Sequence, residues 1–273
     1  MNKSVKLLSL NISIFHKNNE AISQLLKETN PDIVCFQEVT RKVDESALDT
    51  YISKNAVDRV MPELSYSFFA PNWALRDFRQ KNFHGEENFE HDFGGFIEYG
   101  NYIKSRYKII QGKSIFVQGE FSYLTDWESF SKHPGKEPRT AQIADLEIEN
   151  SKNLRIINYH GIWTKDKKGT EQTKSACEKL DTLASEVSYP TVICGDFNLF
   201  PHTESIEVLD ENFVNLVNKY NITRTRPITN ELSAEKRNVV DYIFVSHNLE
   251  VKNFEVIDCD VSDHFPLFAE FVY

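Results

Sequence analysis

The sequence predicts an α+β fold in which two packed, mostly antiparallel β-sheets are flanked by helices. Strand-like apolar runs outnumber helical patterns, and neighbouring runs in the middle of the chain are joined by short connections, as in hairpins. No linker, internal repeat or low-complexity tract divides the chain. We therefore expect one domain covering residues 1–273, a length that is also compatible with two small domains.

The N-terminal third predicts a β-α-β unit. Residues 5–11 form an apolar run that predicts a core strand ending at Asn11. Residues 18–29 carry apolar side chains at helical spacing, and an Asn-Pro pair follows them. Residues 32–38 predict a second buried strand, which ends on Glu38.

The next part of the chain is mixed. Residues 44–63 predict a helix, and residues 66–70 predict a short strand. Residues 72–93 are polar, charged and aromatic, which predicts a loop or insertion. Its histidines and acidic residues resemble a metal cluster, but a solvated loop is the favoured interpretation. Consecutive strands over residues 94–117 precede a second long connection, residues 118–138.

The C-terminal half predicts a hairpin, a long helix and several strands. Residues 140–148 and 154–160 form the hairpin, and residues 170–187 carry the clearest helical periodicity. Further on, the pattern predicts a strand at 191–194, a partly helical segment at 204–217, and strands at 239–245, 251–257 and 264–273.

The composition is that of a globular protein, with 40% hydrophobic and 26% charged residues. No apolar run approaches the ~20 residues of a membrane helix, and the N-terminus has no signal-peptide pattern, so we expect a cytoplasmic protein. The net charge of −10 weighs against non-specific DNA binding, because an acidic surface repels polyanions. The four cysteines show no CxxC spacing and are interpreted as unpaired thiols rather than zinc ligands.

The strand at residues 191–194 ends at a glycine, and Asp196 and Asn198 follow it directly. Residues two apart in an extended segment point to the same side, so a carboxylate and an amide leave the strand end together. This pair suits a general base and a second group that positions the reactant, both held by a rigid strand end. An Asx turn that closes the strand is the structural alternative.

Polar residues recur at the ends of other apolar strands, and Asp241 lies within an otherwise apolar run, where an unpaired charge is costly. Each residue alone is compatible with a cap or a turn. Their joint occurrence favours one shared site. The set comprises Asn11, Gln37, Glu38, Asn158, His160, Asp196, Asn198, Asp241, Ser262, Asp263 and His264.

Seven short motifs make the chain resemble the endonuclease/exonuclease/phosphatase family, which includes DNase I. Each motif is weak alone, but they occur in the order typical of the family and extend over the whole chain. They are Leu8–Asn11, Cys35–Val39, Gly100–Arg106, Asn158–His160, Cys194–Asn198, Asp241–Ile243 and Ser262–Leu267.

The resemblance implies a DNase I-like, four-layer α/β/β/α sandwich, in agreement with the pattern of elements. It implies a hydrolase that cleaves a phosphate ester by in-line water attack with Mg²⁺, with Mn²⁺ as the alternative ion. A hard cation of this kind prefers oxygen ligands. The partner is then a phosphate-ester substrate, with nucleic acid as one class, and we expect a monomer.

The resemblance also implies roles for individual residues. Glu38 is the expected metal ligand, with Asn11 and Asp263 near it. Asp196 resembles the general base, and Asn198 would hold the attacking water or the phosphate.

The remaining roles concern charge on the phosphate. A cationic His264, oriented by Asp241, would stabilise the transition state, because a carboxylate partner raises the pKa of a histidine. His160 would reach a non-bridging oxygen, and Arg139, together with Asn11, is expected to bind substrate.

The motifs leave the substrate open. A small or single-stranded phosphodiester is favoured, a phosphomonoester is compatible, and the alternatives are a DNA-repair-type endonuclease and a catalytically idle binding module. The lysines of residues 164–169 suit either a second phosphate or a solvated turn. The aromatic residues of 121–130 suit base stacking, a lipid headgroup or ordinary packing.

Overall fold

The structure is a computed structural model, and it describes residues 4–13, 19–47, 54–81, 88–124, 135–149, 152–227 and 239–272. Its elements, in chain order, are β1 (Ser4–Asn11), α1 (Asn19–Thr29), β2 (Ile33–Lys42), α2 (Lys54–Val60), β3 (Tyr66–Lys81), β4 (Asn88–Ser105), β5 (Lys108–Gln118), β6 (Tyr123–Leu124), β7 (Arg139–Glu149), β8 (Lys152–His160), α3 (Glu171–Ser185), β9 (Thr191–Asp196), α4 (Glu204–Asp210), β10 (Val214–Asn215), α5 (Leu216–Lys219), β11 (Asp241–Val245), β12 (Glu250–Val256) and β13 (Leu267–Val272).

The described strands form two sheets. One has seven strands in the order β12-β13-β1-β2-β4-β3-β6, and the other has six in the order β10-β11-β9-β8-β7-β5. Most neighbouring strands are antiparallel. The parallel pairs are β1 with β2, β3 with β6, and β8 with β9. The prediction of an α+β fold with two mostly antiparallel sheets is confirmed.

Both faces of the central strands are buried, which produces the four layers. Along β1, Leu7 belongs to the cluster that also contains Ile157 and Ile193 of the other sheet. Its neighbour Leu8 points to the opposite face and belongs to a second cluster with residues of α1 such as Leu26. Because strands buried on both faces read as continuous apolar runs, the sequence shows their position but not which face each residue uses.

A network of buried amide side chains joins the two sheets directly behind their polar ends. Gln37 Nε2 donates to Asn158 Oδ1 at 2.6 Å. Asn158 Nδ2 in turn donates to Gln142 Oε1 at 3.0 Å and to the backbone oxygen of Phe36 at 3.0 Å. A buried polar network of this kind constrains how the sheets lie against each other, because an unpaired member is costly.

The structure corrects several sequence predictions. Residues 72–93, predicted as a loop, contribute to β3 and β4, which pair from Tyr66 and Ser105 out to Lys81 and Asn88. The strand was missed because Asn72, Trp73 and Ala74 are all buried, so the segment lacks the alternation of apolar and polar residues that identifies a half-buried strand. Residues 82–87 lie outside the described part of the chain, and nothing is described of the side chains of residues 88–93, so the histidine and acidic cluster of this segment stays untested.

Two other predicted segments are shorter in the structure. The helix predicted over residues 44–63 appears as α2, Lys54–Val60, while residues 44–47 form turns and residues 48–53 lie outside the described part. Within the connection predicted at residues 118–138, Tyr123–Leu124 forms a strand, and residues 125–134 are not described.

The location of Tyr123 also bears on the alternatives given for the aromatic residues of 121–130. Tyr123 pairs with Ala74, and the neighbouring Trp73 stacks on Tyr99, with ring centroids 4.4 Å apart. Because adjacent residues of a strand face opposite sides, Tyr123 lies on the other face of the sheet from Trp73 and Tyr99. Base stacking by Tyr123 next to the polar strand ends is therefore not supported.

All four cysteines are free, and Cys35, Cys177 and Cys194 are buried, in agreement with the interpretation as unpaired thiols. Among the described helices, none has the length and apolar character required to cross a membrane.

Candidate active site

Three predicted site residues lie in one row across the six-stranded sheet. His160 of β8 is in register with Asp196 of β9, and Asp196 is in register with Asp241 of β11. The other sheet brings Asn11 and Glu38 to the same edge, because Asn11 at the end of β1 pairs with Gln37. The site is therefore assembled from strand ends of both sheets.

A glycine allows the strands that carry the row to approach closely. Gly195 has φ of +137°, and a Cβ atom at this position would lie 2.0 Å from the backbone oxygen of Tyr159. Any larger residue would push β9 away from β8, and Asp196 would move with it.

Asp196 is the centre of the site. It is buried, and its Oδ2 atom accepts a hydrogen bond from Asn11 Nδ2 at 3.1 Å. The same Oδ2 lies 3.6 Å from His264 Nε2 and 3.7 Å from His160 Nε2. Burial raises the pKa of Asp196, but the charge of His264 and other nearby cations lowers it to about 2. The carboxylate is thus ionised at neutral pH.

His264 and Asp241 form a buried pair. The Nδ1 atom of His264 lies 2.9 and 3.0 Å from the two carboxylate oxygens of Asp241. Burial lowers the pKa of His264, but the carboxylates of Asp241 and Asp196 outweigh it and raise the pKa to about 9. His264 is therefore cationic at neutral pH, with Nδ1 directed at Asp241 and Nε2 directed at Asp196.

This pKa predicts a pH-dependent stability. A histidine with a folded-state pKa of about 9 instead of 6.5 stabilises the fold fully below pH 6.5, and the stabilisation is lost as the pH rises from 6.5 to 9. The difference in unfolding free energy between wild type and His264→Gln is therefore expected to shrink over this range, by on the order of 2 to 3 kcal/mol. Urea unfolding at pH 6, 7, 8 and 9 measures it. The exposed His247 provides the control, since His247→Gln should show no comparable trend, and a constant His264 difference would contradict the assigned charge.

Glu38 reaches the site through a β-bulge. The register of β2 against β4 shifts between Phe36 and Val39, and Glu38 has a left-handed backbone with φ of +63°. Asn11 Nδ2 donates to Glu38 Oε1 at 3.1 Å. A bulge that redirects one side chain, with local strain at a non-glycine residue, is common at functional sites.

His160 carries an unexpected set of partners. Its Nδ1 atom lies 3.2 Å from Arg139 Nη1 and 3.5 Å from the Tyr99 hydroxyl. Because a guanidinium has only donors, Nδ1 must accept, so His160 is neutral and carries its proton on Nε2. Burial and the charge of Arg139 lower the pKa of His160 well below its usual value, consistent with this state. The Nε2 proton is directed at the carboxylates of Asp196 and Glu38, 3.7 and 3.9 Å away.

Arg139 was predicted to bind substrate phosphate. In the structure its side chain is buried and one of its terminal nitrogens contacts His160, while its Nε atom has no hydrogen-bond partner. The contact with His160 adds a role that the sequence did not indicate. The substrate role stays a prediction.

Asn198 lies beside Asp196 with a left-handed backbone, φ +56°, which asparagine tolerates better than most residues. Its backbone N–H donates to Asp196 Oδ1 at 2.8 Å. Its side-chain oxygen accepts a hydrogen bond from Lys167. The Asx turn considered for this segment is therefore present, and it is also the arrangement that holds the two side chains in the site.

Asp263 lies on the outer side of His264. One of its oxygens is 2.5 Å from Arg226 and 4.0 Å from His264 Nε2. Burial raises the pKa of Asp263, but His264 and Arg226 lower it. Neither Arg226 nor Tyr99 was predicted from the sequence as a site residue. Tyr99 directly precedes the Gly100–Arg106 motif, but no local pattern marked Arg226.

Two groups of side chains are candidates for holding a metal ion. Asn11 and Glu38 form the first, although Asn11 presents its Nδ2 to the carboxylates and its Oδ1 to the backbone of Ser13. Asp196, Asp241 and His264 form the second, with ligand atoms within 4.8 Å of one another. The positive charge on His264 weighs against the second group, because a protonated imidazole cannot ligate a metal through Nε2.

Comparison with known proteins identifies the family of the chain. The model of the endonuclease/exonuclease/phosphatase family matches residues 8–264. The chain belongs to this family. Every motif identified in the sequence lies within the matched residues or at their edge.

Two solved structures give the extent of the structural similarity. A family structure from Bacteroides vulgatus covers 98% of this chain and 98% of its own, with a TM-score of 0.70 and 18% identity. A mannosyl-6-phosphatase from Bacteroides thetaiotaomicron covers 98% of this chain and 100% of its own, with a TM-score of 0.63 and 15% identity. At these identities the structures support the fold.

A curated relative is similar over a shorter region. It is a UPF0294 protein from Vibrio parahaemolyticus, 31% identical over 137 residues. The match covers 49% of this chain and 45% of that protein, so the two align over less than half of the relative's length.

Proposed function

We propose that the protein is a Mg²⁺-dependent phosphoesterase that hydrolyses a phosphodiester or phosphomonoester by in-line water attack. The family supports a hydrolase of phosphate esters. The proposed mechanism rests mainly on the environment of Asp196. Its Oδ2 atom lies between Asn11 Nδ2 and the Nε2 atoms of His160 and His264. An ionised carboxylate surrounded by donors suits a group that receives or orients a proton of water.

The histidines would act on the phosphate with different charges. His264, cationic and held by Asp241, would stabilise negative charge on the transition state. His160, neutral and held by Arg139, would donate a hydrogen bond from its Nε2–H to a non-bridging oxygen. Charge stabilisation of this kind accounts for most of the catalysis in phosphoryl transfer, where the transition state is loose.

Asp196 has a low pKa for a base. With a pKa of about 2 it would bind a proton weakly. Its proposed role is therefore mainly to orient the water by accepting a hydrogen bond, with Asn198 placing the water or the phosphate alongside.

The residues fit a divalent cation, because Mg²⁺ prefers the oxygen ligands that carboxylate and amide groups supply, and Mn²⁺ is the alternative ion. Glu38 would hold the ion, with Asn11 and Asp263 as the further ligands we propose. Asn11 could serve only after rotation of its amide, since its oxygen now accepts from Ser13. A bound ion would polarise the phosphoryl oxygen and stabilise the leaving oxyanion.

A screen of phosphate esters tests this proposal. We expect purified protein to hydrolyse p-nitrophenyl phosphate, bis-p-nitrophenyl phosphate or a single-stranded oligonucleotide with Mg²⁺ or Mn²⁺, and to lose turnover with EDTA. Glu38→Gln should raise the Mg²⁺ concentration required for half-maximal rate, because it removes the ionised ligand. The exposed Glu45→Gln is the matched control.

The same screen separates the alternatives. Preferential cleavage of a duplex with an abasic site would favour a DNA-repair-type endonuclease. Folded protein that turns over no ester with either ion would favour an idle binding module. Activity that is equal with and without EDTA would contradict the metal dependence.

A further inference from the structure

The turn that follows β8 contains three lysines that differ in their surroundings. Lys165 and Lys168 are exposed, whereas Lys167 is half-buried. Lys167 has a left-handed backbone, with φ of +56°, and its carbonyl oxygen accepts from the Phe200 N–H at 2.9 Å. This bond ties the turn to the segment that follows Asn198. A strained backbone at a residue other than glycine persists where the surrounding structure requires it.

The ammonium group of Lys167 is held inside the candidate site. Its Nζ atom donates to Asn198 Oδ1. It also lies 5.1 Å from the ring centroid of Trp163, within the range of a cation–π interaction. The backbone N–H of Asn198 donates to the carboxylate of Asp196, so Asn198 links the ammonium of Lys167 to the central carboxylate. Lys167 is therefore not a solvated residue of the turn, whereas Lys165 and Lys168 are.

Several cations are gathered around the same carboxylate. Burial lowers the pKa of Lys167 to about 8, and Arg226 and Arg139 contribute to the lowering, while Asp196 and Asp241 oppose it. The carboxylates of Asp196 and Asp241 offset part of the cost of burying this ammonium near two guanidinium groups. Groups whose pKa is perturbed by burial and by specific charged neighbours cluster at functional sites.

On the basis of the proposed function, we propose that Lys167 contacts the substrate phosphate from the side of Asn198 and makes the site selective for a phosphomonoester. A monoester carries nearly two negative charges at neutral pH, since its second pKa is about 6, whereas a diester carries one. An additional lysine beside the phosphate therefore favours the monoester, because lysine recognises phosphate as a point charge. This narrows the substrate class, for which the sequence had favoured a diester.

The reaction itself is balanced without a further reactant. The water oxygen forms the new bond to phosphorus, and the ester oxygen leaves with the bonding electron pair. One water proton passes to the leaving oxygen, so the products are an alcohol and inorganic phosphate. Lys167 contributes charge and position to this step and undergoes no net change.

The test compares Lys167→Gln with Lys168→Gln. Glutamine at position 167 can still donate to Asn198 but removes the charge, so the two roles of the lysine are separated. The values of kcat/KM for p-nitrophenyl phosphate and bis-p-nitrophenyl phosphate are measured with Mg²⁺, and the Kd of inorganic phosphate is measured by calorimetry without turnover. We expect Lys167→Gln to lower kcat/KM for the monoester about 10- to 100-fold more than for the diester, and to weaken phosphate binding about tenfold.

The control variant and the results that would contradict the proposal give different patterns of kcat/KM and phosphate Kd. Lys168→Gln, at the exposed neighbouring lysine, should leave both esters and the phosphate Kd unchanged. An equal effect of Lys167→Gln on both esters with an unchanged phosphate Kd would overturn the proposal, because the lysine would then act only through Asn198. If Lys167→Gln fails to fold, Lys167→Arg, which keeps the charge, should retain the preference for the monoester, and loss of that preference would count against it. Failure of the wild type to hydrolyse either ester would instead overturn the proposed function.

Discussion

Asp196→Asn is expected to lower kcat for any phosphate ester that the protein hydrolyses by about 10³-fold, the middle of the range for loss of a positioned acid–base group. The substitution keeps the size of the side chain and replaces one carboxylate oxygen by a nitrogen donor. Asp196 Oδ2 is approached by donors from Asn11, His160 and His264. The amide oxygen could still accept a hydrogen bond from water, but the amide nitrogen would add a donor among these donors, and the neutral amide could not balance the charge of His264.

The measurement is steady-state kinetics on the best substrate of the ester screen. A matched control is Asp166→Asn, which makes the same change at an exposed position of the turn after β8 and should leave kcat within a factor of two or so. Thermal unfolding of both variants separates loss of chemistry from loss of fold. A folded Asp196→Asn protein with more than about a tenth of the wild-type kcat would remove Asp196 from the mechanism.

Asp145→Asn is expected to destabilise the fold by about 3 to 5 kcal/mol, although it lies outside the candidate active site. Arg155 of β8 donates to both carboxylate oxygens of Asp145 of β7, at 2.8 and 2.9 Å. Both residues are only 2% exposed. The guanidinium also donates to the Leu183 backbone oxygen of α3 at 2.6 Å, so the pair connects the sheet to the helix layer. Removing the carboxylate leaves the buried cation with only the partly exposed Glu186, 3.4 Å from Arg155 Nη1, as a counter-charge.

Urea unfolding at neutral pH measures the loss. The double variant Asp145→Leu, Arg155→Met is expected to be more stable than Asp145→Asn, because replacing both ions costs less than leaving one unpaired. Lys174→Gln breaks an exposed pair with Glu204 and should have no measurable effect. If Asp145→Asn lowers the free energy of unfolding by less than about 1 kcal/mol, the pair of Asp145 and Arg155 is screened by water in solution.

The sequence predicted the candidate site better than it predicted the long connections. Asp196 and Asn198 could be found because they follow a short buried strand, and Asp241 because a carboxylate in an apolar run requires a partner. That partner, His264, lies 23 residues away in the chain, and its Nδ1 is 2.9 Å from Asp241. The hairpin of β3 and β4 was missed because consecutive residues such as Trp73, Ala74 and Leu75 are all buried, so the strand shows no alternation of apolar and polar residues.

Lys167, Arg226 and Tyr99 could not be assigned from the sequence. Lys167 is one of three lysines in a polar turn, and a backbone contact with Phe200 turns it towards the site. The contacts of Tyr99 and Arg226 are to His160 and Asp263, each more than 30 residues away. Local patterns contain no information on such pairs, because they arise only when the two sheets pack.

By itself, the sequence determined the two-sheet architecture, the family and the polar strand ends, because apolar runs, breaks and ordered motifs are local properties of the chain. Only the tertiary structure decided how the site is charged. The neutral state of His160 depends on Arg139, the cationic state of His264 depends on Asp241, and the burial of one lysine depends on the packing of its turn. Protonation follows from the distance between groups in a desolvated space, and that distance is set by the packing of strands that are far apart in the chain.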